Sequence, residues 1–387
     1  MKRPFIILLI VLAAVIVLGL AAYGIARGMR SPPTAPVASG GFPARPAWVF
    51  EAAETIIASP VVREGTAYVR SASHLYAVDT ATGQTIWEAS SPGGDGLAVA
   101  PLVLPKVVVV PEAGSGLATF SRETGELLWR ADPPWGRKIK DMPSTIESLA
   151  AVGERLYVAR MLWDLAVHDL VSGETLRGAI SPTEDQPPIL LADQERLYLA
   201  TEHKLTVYDR RERSALSTTG FEGGLGPILL SKGKLFVADE GENAISAFDT
   251  SEGGLNALWT ARLPDEFAQP DVRCLALRED VLYVAADGLL ALSAQDGSPL
   301  WTSAETGPLE CPVPLRNRVY VRDTGGTLYA LDRETGAEAG RLALLSNRDN
   351  LGIAQGFRDS GHFRGPAAAG RLLLVPFGDN RLFAYRP

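Results

Sequence analysis

The sequence predicts an all-β protein: an eight-bladed β-propeller of four-stranded blades, closed by an N-terminal strand near Trp48 and preceded by one transmembrane helix. Three observations carry this. A short motif recurs eight times through residues 47–387, a β-type apolar run lies upstream of each copy, and an uncharged apolar stretch occupies the N-terminus.

Behind Met1, Lys2 and Arg3, residues 4–26 (PFIILLIVLAAVIVLGLAAYGIA) carry no charge. As a helix rising about 1.5 Å per residue they span roughly 34 Å, enough for a hydrocarbon core of about 30 Å. The apolar part of a cleaved signal peptide is about 7 to 15 residues long, and no small-x-small site precedes Arg27. Residues 1–30 therefore read as a signal anchor. Lipoprotein processing is excluded, because no cysteine lies nearby. Lys2, Arg3 and the amino terminus nearly balance Arg27 and Arg30; the expected topology is single-pass in the cytoplasmic membrane, with the propeller on the extracytoplasmic side. Residues 31–46, rich in Pro, Gly, Ser and Ala, read as a flexible linker.

From residue 47 to 387 the chain repeats. Copies of LYAVDTATGQTIW begin at Leu75, Leu117, Leu165, Leu205, Ile245, Leu289, Leu328 and Leu382. Upstream of each lies a short run such as TAYVR, RLYVA, KLFVA or RVYVR, rich in β-branched and aromatic residues, and before most of these a third such as ASPVV or PPILL. A fourth run follows each turn. Four short strands in a unit of roughly 40 residues make a propeller blade. The last unit stops after its third strand at LFAYRP, so the strand around Trp48 completes the eighth blade and removes an open sheet edge.

Within the motif, Asp79, Asp169, Asp209, Asp249 and Asp332 can accept hydrogen bonds from turn amides. Gly83, Gly125, Gly173, Gly297 and Gly336 supply the positive φ of the strand-to-strand turn. Trp87, Trp129, Trp259 and Trp301, with Trp48 in the closing strand, are expected to fill the seams between blades. Arg177, Ser217 and Gly340 stand where a tryptophan is missing, and weaker seams are expected there.

The pattern A-x-D-x-x-T-G-x-x-x-W, present as Ala77, Asp79, Thr82, Gly83 and Trp87, resembles the tryptophan-docking repeat of the pyrroloquinoline-quinone-like (PQQ-like) propellers. The resemblance covers roughly residues 47–387. It implies the propeller fold and two classes of activity: quinoprotein alcohol dehydrogenases, and a non-enzymatic, BamB-like branch of scaffolds. Quinoprotein enzymes of this resemblance are longer and carry an adjacent cysteine pair above the cofactor, which this chain lacks.

Chemistry-bearing residues are sparse. Cys274 and Cys311 each lie nine residues before a strand tyrosine, Tyr283 and Tyr320, and so hold equivalent inner-strand positions on adjacent blades. They read as free, buried thiols, with a disulfide as the alternative should their Cα atoms approach within about 7 Å. His74, His168, His203 and His362 are spread over separate units, and Asp239, Glu240 and Glu242 lack calcium-loop spacing, so no metal and no cofactor is expected. No catalytic constellation is found. A formal charge of −8 argues against nucleic acid.

What remains is loop length. Turns between first and second strands (REG, VGE, SKG, RED) and between third and fourth (TATG, RETG) are short and open on one face. On the opposite face lie long insertions at 132–148 and 346–366 and a smaller one at 263–273. The first holds Trp135, Arg137, Lys138 and Lys140; the second holds Arg348, Phe357, Arg358, His362, Phe363 and Arg364, a mixture of aromatics and cations. The expected function is a membrane-tethered, non-catalytic scaffold that docks an unidentified protein through these loops. A quinone- or small-ligand-binding enzyme or sensor is the alternative.

Overall fold

The computed structural model describes residues 37–92, 99–112, 116–131, 146–160, 164–176, 189–209, 215–252, 254–264, 272–303, 309–323, 326–344, 365–377 and 380–387. Residues 4–26 lie outside them, and among the described residues no helix is long and apolar enough to cross a membrane.

Eight antiparallel sheets follow one another along the chain, each built on one repeat, two of them completed or extended by strands from the N-terminal side. Blade 1 consists of Val61–Arg63, Thr66–Arg70, His74–Asp79 and Thr85–Ser90, paired in that order from inner to outer strand. Blade 2 ends in the outer strand Leu127–Ala131; blade 3 is described over Ile146–Val152, Arg155–Arg160 and Asp164–Asp169, with a single bridge from His168 to Thr175 beginning its outer strand. Blades 4, 5, 6 and 7 start at the inner strands Ile189–Ala192, Leu225–Ser231, Cys274–Arg278 and Val313–Leu315. Blade 8 comprises Ala367–Ala369, Leu372–Phe377 and Arg381–Tyr385.

Strand position within a blade explains the residue patterns. Second and third strands are covered on both faces by neighbouring blades, so runs such as Ala67-Tyr68-Val69 and Leu75-Tyr76-Ala77-Val78 are buried without interruption. Outer strands keep one face in water: in Thr85–Ser90 only Trp87 is buried, and Ile86 is exposed. The core is accordingly distributed between blades. One apolar cluster joins Tyr68, Ala77 and Trp87 of blade 1 to Val108, Val110 and Phe120 of blade 2.

Closure follows the expected plan and adds to it. Strand β2 (Trp48–Glu51) pairs antiparallel with Arg381–Tyr385, with Trp48 opposite Ala384, and completes blade 8. The reading of 31–46 as a linker needs correction from Val37 onward. Strand β1 (Val37–Gly40) pairs antiparallel with the outer strand Glu338–Ala343, Val37 opposite Ala343 and Gly40 opposite Gly340, making blade 7 five-stranded. Small side chains are what allow this: a Cβ on Gly40 would stand 2.8 Å from the Gly340 Cα.

Gly340 occupies the tryptophan position of blade 7, and the weak seam expected there is filled from elsewhere. Phe42, just past β1, is buried and meets Tyr320 edge-on at 5.9 Å and Tyr385 at 5.3 Å. In other blades the motif tryptophan meets the aromatic of the second strand at the same range, as Tyr68–Trp87 and Tyr283–Trp301 do at 6.0 Å. Phe42 thus stands in for the missing indole between blades 7 and 8. Restoring the repeat pattern should therefore harm the protein. A Cβ on Gly340 would meet the Gly41 and Phe42 nitrogens, both at 2.8 Å, and we expect Gly340→Trp to cost about 1–3 kcal/mol or more by overpacking, read as a lower melting temperature.

Candidate functional site

The motif tryptophans dock on the next blade's turn glycine. Indole atoms of Trp48, Trp87, Trp129, Trp259 and Trp301 lie where a Cβ on Gly83, Gly125, Gly173, Gly297 and Gly336 would stand, at 2.4–2.6 Å for the closest atom. No side chain fits that space, and the glycine φ of 72–76° adds a second demand for glycine. The indole N–H also crosses the seam. Trp48, Trp87, Trp129 and Trp301 donate to the carbonyls of Thr80, Arg122, Leu170 and Arg333 at 2.9–3.1 Å, each one residue past the motif Asp or Ser. Trp259 departs from this: Lys234 Nζ reaches the equivalent Ala294 carbonyl at 3.2 Å, and the Trp259 N–H has no hydrogen-bond partner among the described residues.

Asp residues of the motif organise the turns, as their position predicts. Asp79 Oδ1 accepts from the Thr82 amide at 2.8 Å and the Thr82 hydroxyl at 2.7 Å, while the Gly83 amide donates to the Asp79 carbonyl. Asp169 accepts from Val171 and Ser172, Asp249 from Ser251, and Asp332 from Glu334 and Thr335. Hydrogen bonds from Thr82 hold the Asp79 carboxyl below its ordinary range; those from Ser172 and Ser251 do the same for Asp169 and Asp249. Asp209 ends a strand, opposite Arg196, and Arg177 lies outside the described residues. At Ser217 the seam between blades 4 and 5 contains Phe221 edge-on to Phe248 at 6.5 Å instead of an indole.

Charged and polar side chains add a girdle on the short-turn face. Glu64 of blade 1 binds Arg122 of blade 2 at 2.7 Å, Arg196 reaches the Ser251 carbonyl at 3.1 Å, and Arg333 of blade 7 binds Glu279 of blade 6 at 2.9 Å. The opposite face is where the chain passes from blade to blade. The passages leave the outer-strand ends Ala131, Arg262, Ser303 and Ala343 and return at the inner strands that begin with Ile146, Cys274, Val313 and Ala367. All the proposed docking residues, Trp135, Arg137, Lys138, Lys140, Arg348, Phe357, Arg358, His362, Phe363 and Arg364, belong to these passages and lie outside the described residues.

Cys274 and Cys311 correct the reading of free thiols. They form a disulfide with Cα atoms 5.0 Å apart, so the equivalent inner-strand positions of blades 6 and 7 are within bonding reach. The same position links other neighbours by hydrogen bonds. Ser59 Oγ of blade 1 accepts from the Gly365 amide of blade 8 at 2.8 Å, and Ser148 Oγ of blade 3 accepts from the Leu190 amide of blade 4 at 3.1 Å.

Two polar clusters escaped the sequence reading. Arg70 is fully buried at the junction of blades 1 and 2, where it donates to the Val99 and Pro111 carbonyls; burial pulls its pKa down to about 10, against the pull of Glu112. Glu112 in turn takes both guanidinium arms of Arg130, at 2.6 and 3.0 Å. The second cluster ties the passage from blade 8 to blade 1. Glu54 Oε2 accepts from the Ser71 hydroxyl at 2.9 Å and lies 3.2 Å from His74 Nδ1, with Ser73 Oγ 3.0 Å from the same nitrogen. Because both contacts fall on Nδ1, the arrangement is not a nucleophile–base–acid relay, which needs both ring nitrogens.

Hydrogen bonds from Ser73, His74 and Ser71 outweigh partial burial and hold the Glu54 pKa down at about 2, from 4.5. A carboxyl with a lowered folded-state pKa stabilises the fold above its unfolded value and loses that contribution as pH falls toward about 2. The melting temperature of Glu54→Gln should therefore lie below that of the wild type at neutral pH, and the gap should close between about pH 4.5 and 2. A gap that stays constant with pH would contradict this assignment.

Of the four histidines, His74, His168 and His203 lie among the described residues and stand on blades 1, 3 and 4. His168 is fully buried, with Nδ1 near the Gly173 carbonyl and the Thr175 hydroxyl; His74 serves the Glu54 cluster, and His203 lies on blade 4. Among the described residues no group of three or more His, Cys, Asp or Glu could hold a metal ion.

Eight blades, indole-on-glycine seams and a terminal strand that closes the ring define the repeat physically. A family model described as outer membrane protein assembly factor BamB matches residues 36–214, 201–358 and 256–387. The chain belongs to this PQQ-like propeller family. No curated protein sequence matches it. Among solved structures, BamB from Moraxella catarrhalis is 13% identical, with a TM-score of 0.65 over 88% of this chain and 99% of that one. The computationally designed Ika8 protein is 14% identical, with a TM-score of 0.66 over 89% and 100%. Quinohemoprotein alcohol dehydrogenase from Comamonas testosteroni is 12% identical, with a TM-score of 0.63 over 88% of this chain and 76% of the enzyme. Identities this low speak for the fold alone, and the BamB-family fold is shared by an assembly factor, an enzyme and a design.

Proposed function

We propose that the chain is a membrane-tethered, non-catalytic scaffold of the BamB family, docking another protein through the face that carries its long blade-to-blade passages. One observation carries this reading: the propeller is two-sided. Its short-turn face is committed to indole docking and inter-blade pairs, whereas the passages of variable length all leave from the other face. Rigid scaffolds commonly carry binding in such loops. The family description, an outer membrane protein assembly factor, supports a role in protein contacts.

Residues 4–26 supply the anchor in this reading, in the cytoplasmic membrane with the propeller outside the cytoplasm. The Cys274–Cys311 bond supports that side, since disulfides persist in oxidising compartments. A quinone- or ligand-binding enzyme or sensor is the second reading, favoured by the likeness to a quinohemoprotein dehydrogenase. A visible absorption spectrum of the purified protein, with and without added quinone and calcium, separates the two; a bound chromophore would favour the second. For the scaffold, replacing Trp135, Arg137 and Lys138 together should remove cross-linked partners in native membranes without lowering the melting temperature, and unchanged partners would sink the role of that loop.

A further inference from the structure

We propose that the Cys274–Cys311 bond is a thiol–disulfide exchange site, opened and closed by a dithiol while the propeller stays folded. The inference goes beyond the docking role and holds whichever partner that face takes.

Access is the first observation. Cys311 is exposed and Cys274 half-buried; Cys274 begins its inner strand on the passage face and Cys311 lies two residues before the inner strand Val313–Leu315, so an attacking thiolate reaches the bond without a blade coming apart. Exposed disulfides are the more reducible and labile ones. The second observation is that the fold holds these segments by other means. Cys274 is paired with Ala285 across the sheet, and the Arg273 amide donates to the Ala285 carbonyl at 2.8 Å. On the other side, the Leu309 amide donates to the Ala286 carbonyl at 2.9 Å and the Glu310 amide to the Arg322 carbonyl at 2.8 Å. Buried Glu310 also lies 3.4 Å from the Arg322 guanidinium. None of these contacts uses sulfur.

Comparison between seams is the third. At the equivalent position, hydrogen bonds to Ser59 and Ser148 join blade 8 to blade 1 and blade 3 to blade 4. A covalent link at this ring position is therefore not a requirement of the architecture. What the sulfur pair adds at blades 6 and 7 is a bond that can be broken and remade.

The exchange balances as follows. One thiolate of the dithiol attacks Cys311 Sγ, forming a mixed disulfide, and Cys274 leaves as a thiolate that takes up a proton. The second thiol of the reductant, deprotonated, attacks its own sulfur in the mixed disulfide and closes the reductant's disulfide. Cys311 then leaves as a thiolate and is protonated, two electrons having passed from reductant to protein. The natural reductant of this chemistry is a protein with a paired-cysteine active site.

The test uses the full-length chain in detergent. The protein is incubated with graded dithiothreitol and no denaturant, quenched with N-ethylmaleimide and weighed by mass spectrometry. We expect both cysteines to become labelled at a rate proportional to dithiothreitol concentration, with the near-ultraviolet circular dichroism retained and the bond restored by glutathione disulfide. Labelling that requires denaturant, proceeds at a rate independent of dithiothreitol, or accompanies loss of the dichroism would overturn the proposal. A second arm identifies the attacked sulfur. With glutathione disulfide, Cys274→Ser should form a mixed disulfide at Cys311 at least about tenfold faster than Cys311→Ser does at Cys274. Equal or reversed rates would refute attack at Cys311.

Discussion

Replacing Trp87 by alanine is expected to destabilise the protein by about 3–5 kcal/mol, the range for truncating a large buried aromatic. Trp87 is 9% exposed, packs on Tyr68 of its own blade and covers Gly125 of the next. Its N–H holds the Arg122 carbonyl at 3.1 Å. Truncation therefore empties a seam and strips a carbonyl of its donor, and the glycine beneath cannot move up to fill the space because it closes a turn. The loss should appear as a lower urea midpoint at nearly unchanged slope. A phenylalanine in the same place recovers the ring contact without the N–H, so it should lose less. A Trp87→Ala midpoint equal to the wild type would refute the seam role.

The second large effect is expected at the disulfide. Cys274 and Cys311 are 37 residues apart and close a loop around all of blade 6. Replacing both by serine frees that loop in the unfolded chain and should cost about 2–4 kcal/mol. Because the backbone contacts around both positions do not depend on sulfur, the variant should still fold cooperatively. Wild type and variant should converge once the wild type is reduced. Persistent divergence under reducing conditions would locate the effect in the serine substitutions and not in the bond.

Much of the architecture is legible in the sequence because it is repetitive. Spacing of the motif gives the blade count, the unpaired third strand at LFAYRP gives the partner of β2, and the common offset of Cys274 and Cys311 from a strand tyrosine places them on neighbouring blades. That offset does not decide bonding, which depends on the separation of two inner strands. Strand β1 was hidden for a different reason. VASG has no apolar alternation, and its pairing depends on Gly340, whose missing side chain reads as a damaged motif when it is in fact the clearance that lets β1 and Phe42 pass. A repeat position that changes from tryptophan to glycine was the available signal.

Polar clusters were less legible still. Glu54 and His74 meet because the passage into blade 1 folds back over the turn between its second and third strands, a contact that no local pattern encodes. Arg70 ends a strand of ordinary composition, and only its burial between two blades makes it unusual. For function, the most recognisable residues in the chain turn out to be spent on seams. The residues proposed for docking, Trp135, Arg137 and Lys138 among them, follow no repeat pattern.

Separability of seam and docking face is the central claim, and cross-linking in native membranes read by mass spectrometry tests it most directly. Wild type, Trp87→Ala and the triple replacement of Trp135, Arg137 and Lys138 would be compared at a temperature where all three are folded. The seam variant should keep the wild-type set of cross-linked proteins despite its lower stability, and the loop variant should lose that set at wild-type stability. The opposite pattern, with partners lost from the seam variant and kept by the loop variant, would contradict the account.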